Sequence, residues 1–441
     1  MSVVRWLHIS DLHLNQKGVE NTRLRTGLSS YLKSLSLQCD YVFCTGDLRY
    51  APEGGYAENT VEFLESVCTC VGTPLEHLFV SPGNHDVDRD TDGRDDAIRS
   101  EWFTGNPQSN NYDPRIGVIK QHSLDAIMSG TNAFRHTLQK IIEAKETAFS
   151  NRISRFGPHT LYKTSDFNVI ELDSTISYTK GQERDLIIGT SYLQEALKNC
   201  DAKNVTLVMT HYSFDYLDRA EQEMIEALFR DYNVHLWISG HEHKNLFRKQ
   251  RDWFYEFQCG NLLLENGART CILVGELDLK TLHGQITAHA WFSPNGWAQY
   301  PFVTFGTPDP SIYRFDLTDY NSSSVPCGVV DRRSLREQIL PLLEENQSIF
   351  YEFGPTNNNR NILRSEIPTT WETLLKAKII PNSLKVIETI ELHQELLLSS
   401  EKSVLEKYKM HILGLEQNHL ESGKFVFDAP RFPDEIFTIL K

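Results

Sequence analysis

The first third of the chain alternates short apolar runs with longer stretches of helical spacing. Residues 5–10, 41–45 and 77–81 are apolar runs of strand length, and residues 22–37 and 57–70 between them carry apolar positions at helical intervals. Strands that alternate with helices in this way are typical of a layered α/β domain with a largely parallel sheet. We therefore predict an α/β fold for this part of the chain.

The pattern is interrupted after Asp86 and then resumes. Residues 87–156 are first charged and rich in Asn and then helical over about 123–150, which predicts a helical insertion at about 88–160, packed over the mouth of the site. The α/β alternation returns further on, with strands predicted at 168–172, 205–210 and 234–239 and helices near 191–199 and 221–232.

The last part of the chain has a different character. Alternating apolar segments from 256 to 291, with turns at Asn266-Gly267 and His283-Gly284, predict antiparallel strands that complete a second sheet. Residues 305–325 have the composition of a linker. We predict one domain over 1–305 and a mainly helical, regulatory or partner-binding domain over 306–441. Its candidate helices are 334–345, 370–377, 383–398 and 401–421.

Composition narrows the class of protein. The formal net charge of −15 opposes a general coat for DNA or RNA, which would need a basic excess. The eight cysteines are scattered through apolar stretches and are predicted to be free thiols in a reducing cytoplasm. No run has the roughly 18 apolar residues of a membrane span, and the first residues do not resemble a signal peptide. We expect a cytoplasmic protein without a membrane partner.

Five polar clusters follow the predicted strands, each at a carboxyl end, where α/β folds place their functional loops. They are Asp11-Leu-His13, Gly46-Asp47, Gly83-Asn84-His85-Asp86, His211, and Gly240-His241-Glu-His243. Imidazole nitrogens and carboxylate oxygens suit divalent cations, and two cations roughly 3.5–4 Å apart need a shared anionic ligand such as Asp47. Each cluster alone is weak, but five in one order predict a two-metal site. Histidines such as His8 and His159 match no ligand spacing and are predicted to be core or surface residues.

This ordered set resembles the calcineurin-like metallophosphoesterase superfamily, whose pattern is D-x-H, GD, GNH[D/E], H and GHxH, over roughly residues 3–300. The resemblance implies a β-sandwich of two mixed sheets flanked by helices, with two metals at one edge. Position by position, it implies the following ligands. One metal takes Asp11, His13, Asp47 and His243, and the other takes Asp47, Asn84, His211 and His241.

The resemblance also implies a mechanism. A hydroxide between the two metals attacks phosphorus in line with the leaving group. His85 contacts the phosphate or protonates the leaving oxygen, and Asp86 holds the His85 ring in orientation. The donor set suits manganese, zinc or iron, with nickel a further candidate, and manganese is the ion that we expect.

The substrate is less clearly indicated. The GNHD variant is most similar to the cyclic-nucleotide phosphodiesterase and nuclease branches, so hydrolysis of a phosphodiester in a nucleotide or nucleic acid is our leading hypothesis. The alternatives are a DNA nuclease similar to the double-strand-break repair enzyme, a phosphomonoesterase or protein phosphatase, and a non-catalytic scaffold similar to the retromer subunit. A scaffold is expected to lack ligands, and every ligand position is filled here.

The tail carries no motif. Residues 371–385 resemble helical domains of multi-domain bacterial defence proteins, so a role in a defence system is kept as a hypothesis. The apolar helical faces predict either an ordinary core or a docking surface for a protein partner or a second subunit. We expect this domain to regulate or recruit rather than to catalyse.

Overall fold

The structure is a computed structural model of the chain. It describes residues 3–51, 54–88, 93–98, 121–179, 183–250, 254–264, 270–292, 296–300 and 311–318. The helices predicted beyond residue 318 and the turn predicted at Asn266-Gly267 lie outside these ranges.

The first sheet is mixed and has seven strands. Its order is β13-β12-β11-β1-β2-β3, and β14 also pairs with β12. β1, β2 and β3 are parallel, whereas β11 is antiparallel to β1. The strands are β1 (Val3–Ile9), β2 (Tyr41–Cys44), β3 (Leu78–Val80), β11 (Cys271–Asp278), β12 (His283–Phe292), β13 (Gly296–Tyr300) and β14 (Ile312–Asp316).

The second sheet is also mixed and seven-stranded, in the order β4-β5-β6-β7-β8-β10-β9. Its centre is parallel, from β6 through β7 and β8 to β10, and its two edges are antiparallel. The strands are β4 (Ile153–Phe156), β5 (His159–Lys163), β6 (Phe167–Glu171), β7 (Val205–Met209), β8 (Val234–Ser239), β9 (Leu246–Gln250) and β10 (Phe254–Gln258).

Helices cover the outer faces of the two sheets. The buried stripe Leu24, Leu28 and Leu32 of α1 has helical spacing and joins the apolar cluster on the first sheet. The Asp218 side chain caps α8 by accepting from the Ala220 and Glu221 amides. The helices are α1 (Val19–Ser34), α2 (Thr60–Cys70), α3 (Arg94–Ile98), α4 (Gln121–Ser129), α5 (Asn132–Thr137), α6 (Gln139–Phe149), α7 (Thr190–Lys198) and α8 (Arg219–Asp231).

The core lies between the facing sides of the two sheets. Trp6 of β1 meets Phe167 of β6 edge to face at 6.2 Å, and Phe79 of β3 meets Tyr162 of β5 at 5.2 Å. These residues belong to one buried cluster that draws on both sheets. The α/β fold of two mixed sheets flanked by helices is therefore confirmed.

The insertion is helical, as predicted, and its helices pack against two different parts of the fold. α5 and α6 run beside β3, where Phe149 stacks on His77 at the amino end of that strand. α3 and α4 pack instead around Ile176, in the loop after β6. The insertion predicted to extend to about 160 also contains β4 and the start of β5, which are strands.

Three details of the predicted C-terminal half are wrong. β11 to β13 complete the first sheet and not the second, because β11 pairs with β1. The predicted turn at His283-Gly284 begins β12, and the chain turns just before it, at 279–282. Residues 312–316, inside the predicted linker, form β14 on β12. In β14 only Phe315 is buried, and the residues on either side of it are polar. One buried position is too few to show the alternation of apolar and polar residues that marks a strand in a sequence.

No helix among the described residues combines the length and the apolar character that a membrane crossing requires.

Candidate metal centre

All five polar clusters lie on loops at the carboxyl ends of strands. β1, β2 and β3 of the first sheet lead into the Asp11, Asp47 and Asn84 loops, and β7 and β8 of the second sheet lead into the His211 and His241 loops. Backbone hydrogen bonds join these loops to one another, with Asp11 N donating to Gly46 O at 3.0 Å and Gly240 N donating to His211 O at 2.9 Å. The predicted site residues are therefore brought together at one edge of the molecule.

The backbone is held in an unfavourable conformation at these loops. Asp11, His13, Asp47, His241 and His243 have φ between 45° and 75°, in the left-handed region that costs a non-glycine residue roughly 1–3 kcal/mol. They account for five of the nine non-glycine residues with positive φ in the described ranges. Strain concentrated on the candidate ligands indicates that their positions are fixed for function rather than for stability.

Two glycines are required by close approach. A Cβ on Gly83 would lie 2.1 Å from Asp47 Oδ1, and a Cβ on Gly46, where φ is 97°, would lie 2.6 Å from Gly83 N. Glycine at these two positions lets the loops after β2 and β3 touch.

The first group of donor atoms comes from Asp11, His13 and His243. Their ligand atoms lie within 4.8 Å of one another. His13 Nε2 is 3.3 Å from His243 Nε2, which in turn is 3.2 Å from Asp11 Oδ1. Asp11 and His13 are fully buried, so water does not screen the electrostatic interactions between them.

The second group is formed by Asp11, Asp47 and His211, again within 4.8 Å of one another. Asn84 and His241 adjoin it. Asn84 Oδ1 lies 3.0 Å from His211 Nε2 and 3.1 Å from His241 Nδ1, and Asp47 Oδ2 lies 3.4 Å from His211 Nε2. Asp11 is the carboxylate common to both groups, and the described residues thus form two adjoining donor sets.

Backbone carbonyls determine which imidazole nitrogen faces the centre. His13 Nδ1–H donates to Arg49 O at 3.1 Å, and His211 Nδ1–H donates to Thr45 O at 2.7 Å. In the neutral ring the other nitrogen, Nε2, then carries a lone pair. Lone pairs and carboxylate oxygens therefore converge on one buried space, which is the donor chemistry that a divalent cation fits.

The pKa values reflect this crowding. Burial opposes ionisation of Asp47, but His211 and the other imidazoles outweigh burial and hold the Asp47 pKa well below its usual range. Burial lowers the pKa of His211, but Asp47 and then Asp11 outweigh burial and raise it to about 9. Burial lowers the pKa of His241 to about 3. A cation bound by the second group would therefore have to displace the proton that His211 holds beside these carboxylates.

Asp86 does not hold the His85 ring, contrary to the prediction. Its carboxylate accepts from Leu48 N at 3.2 Å and from Gly83 N at 3.0 Å, and it is completely buried. His85 Nδ1 has no hydrogen-bond partner among the residues that the structure describes. The reason is the tight turn of Asn84–Asp86, which directs the Asp86 carboxylate inward to the backbone. Burial and the nearby Asp47 charge raise the pKa of Asp86 to about 7.

His85 lies at the open side of the centre. Its Nε2 is 3.9 Å from Asp47 Oδ2, and its side chain is 29% exposed. Tyr50, which is 36% exposed, stacks on the His85 ring at 5.7 Å. Arg49 is buried and donates to His85 O at 2.8 Å, so it packs the loops together.

Sequence reasoning missed an aromatic wall beside His241. The Tyr212 ring lies 4.3 Å and the Tyr216 ring 4.8 Å from the His241 ring. The guanidinium of Arg184 lies over Tyr216 at 4.4 Å. The position of Tyr212 directly after His211 was the only available signal, because Tyr216 and Arg184 reach the site through tertiary contacts.

Comparison with known proteins identifies the family. The model of the calcineurin-like phosphoesterase family matches residues 4–245, which is more than half of the chain. The chain belongs to this family, and the resemblance inferred from the five motifs is confirmed.

One curated relative is the uncharacterized metallophosphoesterase-like protein YydB of Bacillus subtilis. It is 23% identical in an alignment over 300 residues that covers 65% of this chain and 60% of that protein. The present chain therefore spans less than two thirds of the length of the relative that it matches.

Solved structures with similarity to the chain include three proteins from eukaryotes. A dimetal phosphatase from Danio rerio has a TM-score of 0.36 at 10% identity, covering 65% of this chain and 95% of that one. GAP50, the anchor in the inner membrane complex of Plasmodium, has a TM-score of 0.35 at 14% identity, with 74% and 100% covered. Vacuolar Protein Sorting 29 from Cryptosporidium parvum has a TM-score of 0.31 at 11% identity, with 72% and 100% covered.

Proposed function

We propose that this protein is a binuclear-metal phosphoesterase that hydrolyses phosphodiester bonds of nucleotides or nucleic acid. The observation that supports the proposal is the convergence of two donor sets, Asp11 with His13 and His243 and Asp11 with Asp47 and His211, on one buried space. No comparable group of ligand atoms occurs elsewhere in the described part of the chain.

The proposed ligands fall into two sets that would share Asp47, as the family resemblance implies, whereas Asp11 is the carboxylate common to the two donor groups of the structure. Asp11, His13, Asp47 and His243 would hold one ion, and Asp47, Asn84, His211 and His241 would hold the other. Asn84 contributes a neutral oxygen and so limits the negative charge of the second set. Two divalent cations bound there, most suitably manganese, would supply an activated water and would neutralise the charge that develops on phosphate.

The protein side chains provide position and proton transfer. His13 and His211 are locked by Arg49 O and Thr45 O, so their Nε2 atoms stay directed at the centre. His85 faces the open side, and we assign to it the proton that is donated to the leaving oxygen. Asp86 does not touch the reacting atoms, and it fixes the loop that carries Asn84 and His85.

A hydrolysis panel with manganese tests the proposal. Wild type, Asp47→Asn and His85→Ala would be compared on a phosphomonoester, an aryl phosphodiester, cyclic nucleotides, and single- and double-stranded DNA. We expect diester hydrolysis in wild type and a loss of at least about a hundredfold in each variant, because each removes a group that acts on the transition state.

Matched controls lie at the opposite ends of the same strands. Asp40→Asn changes a carboxylate before β2 that accepts from Arg5 N, and His77→Ala changes a histidine just before β3. Both controls are expected to retain activity. Hydrolysis of the monoester alone would replace the diester assignment, and a preference for DNA ends would favour a nuclease. Equal activity in wild type, Asp47→Asn and His85→Ala would refute the proposed mechanism.

A further inference from the structure

A cavity of about 470 Å³ lies between the insertion helices and the ends of two strands. Its apolar wall is formed by side chains of α5, α6 and the end of β3, including Phe134, Leu138, Ile141 and Val80. Its opposite wall comes from β4, β5 and the segment just after β6. The cavity is large enough for a small organic molecule.

The charged side chains of the cavity are not all paired. Lys145 pairs with Glu171 at 2.5 Å, and Arg155 pairs with Glu146 at 2.5 Å. Arg135 is partly buried, yet its one hydrogen-bond contact with the described residues is a weak one, from Nη2 to Met128 Sδ at 3.6 Å. A guanidinium removed from water without an oxygen partner is unfavourable, and an anion in the cavity would satisfy it.

Asp173 lies in the same cavity wall but does not neutralise Arg135 by contact. Its Oδ1 accepts from the amide and the hydroxyl of Thr175, at 2.9 and 2.7 Å. The carboxylate therefore attracts Arg135 only through space. The position beside the guanidinium remains available for a ligand oxygen.

The cavity wall is continuous with the loops of the metal centre. Pro82 lines the cavity and directly precedes Gly83 and Asn84. Asp173 precedes Ser174, whose hydroxyl accepts from Tyr212 N at 3.2 Å, and Tyr212 directly follows His211. A ligand in the cavity would therefore contact Pro82 and Asp173, which adjoin the segments that carry Asn84 and His211.

We propose that this cavity binds a small organic anion, one with an apolar body and a single carboxylate, phosphate or sulfonate group. Arg135 binds the anionic group, and the half-buried side chains of Met128 and Ile142, supported from behind by Phe134 and Leu138, pack on the apolar body. Occupancy alters the affinity of the metal centre through Pro82 and through the Ser174–Tyr212 contact. The cavity is thus a regulatory site, separate from the site of hydrolysis.

The test uses 8-anilinonaphthalene-1-sulfonate, an apolar anion with little affinity for metal ions, and the full chain loaded with manganese. Fluorescence titration is expected to show saturable binding that Arg135→Gln weakens about tenfold or more, because a charge-assisted hydrogen bond is lost. Arg135→Lys is expected to keep part of the affinity. Arg152→Gln is the matched control, since Arg152 is exposed, lies over Phe149 and does not line the cavity.

Two further measurements distinguish this site from the metal centre. Asp47→Asn is expected to keep saturable probe binding, with an affinity that differs from wild type by no more than the reciprocal coupling to manganese, whereas loss of probe binding in that variant would place the probe at the metals and overturn the proposal. Equal binding by wild type and Arg135→Gln would also overturn it. Calorimetric titration with manganese is expected to show at least a twofold change in affinity on saturation with the probe, absent in Arg135→Gln. Identical manganese affinities in wild type would overturn the regulatory link.

Discussion

At the scale of single residues, the centre depends on atoms that a sequence motif does not contain. The motifs give the residue types and their order, which is why all seven candidate ligands could be named from the sequence. They do not give the carbonyls of Thr45 and Arg49, which set the tautomers of His211 and His13. Nor do they give the left-handed backbone at Asp11 or Asp47, because that conformation is imposed by contacts between loops.

Asp86 shows how a motif position acquires a role that only the structure defines. Its carboxylate accepts from Leu48 N and Gly83 N, so Asp86→Asn replaces an acceptor by a group that can accept from only one of them. We expect the variant to lose about 1–3 kcal/mol of stability and part of its manganese affinity. Urea unfolding and calorimetric titration measure these two losses. If Asp86 instead oriented His85, stability would be unchanged and hydrolysis at saturating manganese would fall.

The buried His159 ring is expected to make the free energy of unfolding depend on pH, independently of the metals. Its Nε2–H donates to Ile188 O at 2.9 Å, and its Nδ1 accepts from Asp173 N at 3.3 Å, so the buried ring is neutral. Burial lowers the pKa of His159 to about 4, against about 6.5 for an unfolded histidine. Because the folded pKa is the lower one, this contribution to stability is complete above pH 6.5 and is lost as the pH falls toward 4.

His159→Gln isolates that contribution, because glutamine keeps a donor and an acceptor but does not titrate. Urea unfolding of both proteins with a chelator present would be followed from pH 7.5 to 4.5. We expect the stability advantage of wild type to shrink by on the order of 3 kcal/mol over this range. An advantage that stays constant with pH would show that His159 does not titrate as described. Ligand histidines titrate in both proteins and so cancel in the difference.

At the scale of elements, the sequence predicts the central parallel strands and misses the edges. β1, β7 and β8 are fully or largely apolar because both of their faces are covered, and such runs are visible in the sequence. β9 and β4 consist mostly of half-exposed residues. Neither has an apolar run, so the sequence pattern predicts no strand at these two places. An edge strand is identified by its backbone hydrogen bonds to a neighbouring strand, and the sequence pattern does not show that neighbour.

The pairing of β12 with β14 rests on one glycine. Gly284 lies opposite Phe315, and a Cβ added to Gly284 would lie 2.1 Å from the end of the Phe315 ring. The ring cannot swing away freely, because Tyr255 and Phe257 stand 5.4 and 5.1 Å from it. Gly284→Ala is therefore expected to cost about 1–3 kcal/mol of stability through overpacking.

Thermal unfolding with a double-variant cycle measures this effect. Phe315→Leu replaces the phenyl ring by a smaller side chain. Combined with Gly284→Ala, it is expected to recover part of the lost stability. Gln285→Ala, the next position along β12, is the control and is expected to change stability little. Additive losses in the double variant would contradict a clash between residues 284 and 315.

At the scale of the whole molecule, the net charge and the metal site act in opposite directions on an anionic substrate. The chain carries −15 overall, so under the proposed function the attraction of a phosphate substrate would come mainly from cations bound at the centre and not from the net charge of the protein. This arrangement suits a site that acts on one phosphate at a time. Recruitment of a partner through 306–441 stays a prediction, because most of that segment lies outside the described residues.

At the same scale, we predict which residues the metal-binding domain needs in order to fold. The compact unit that contains both sheets comprises residues 1–302 and 311–321, so it includes β14 and extends past the boundary at 305 that composition suggested. Phe315 and Leu317 are buried in the core between the sheets. A chain that ends at residue 305 loses both, whereas a chain that ends at 321 keeps them.

We therefore expect the 1–321 chain to fold and to bind two manganese ions, and the 1–305 chain to be less stable by about 5 kcal/mol, since two large core side chains are lost. Circular dichroism on heating and calorimetric titration of manganese compare the two chains directly. The decisive control is the 1–321 chain with Phe315→Ala, which should fall between them, because it loses one core contact but keeps the β12–β14 pairing. Equal stability of 1–305 and 1–321 would mean that β14 is not part of the domain that holds the metals.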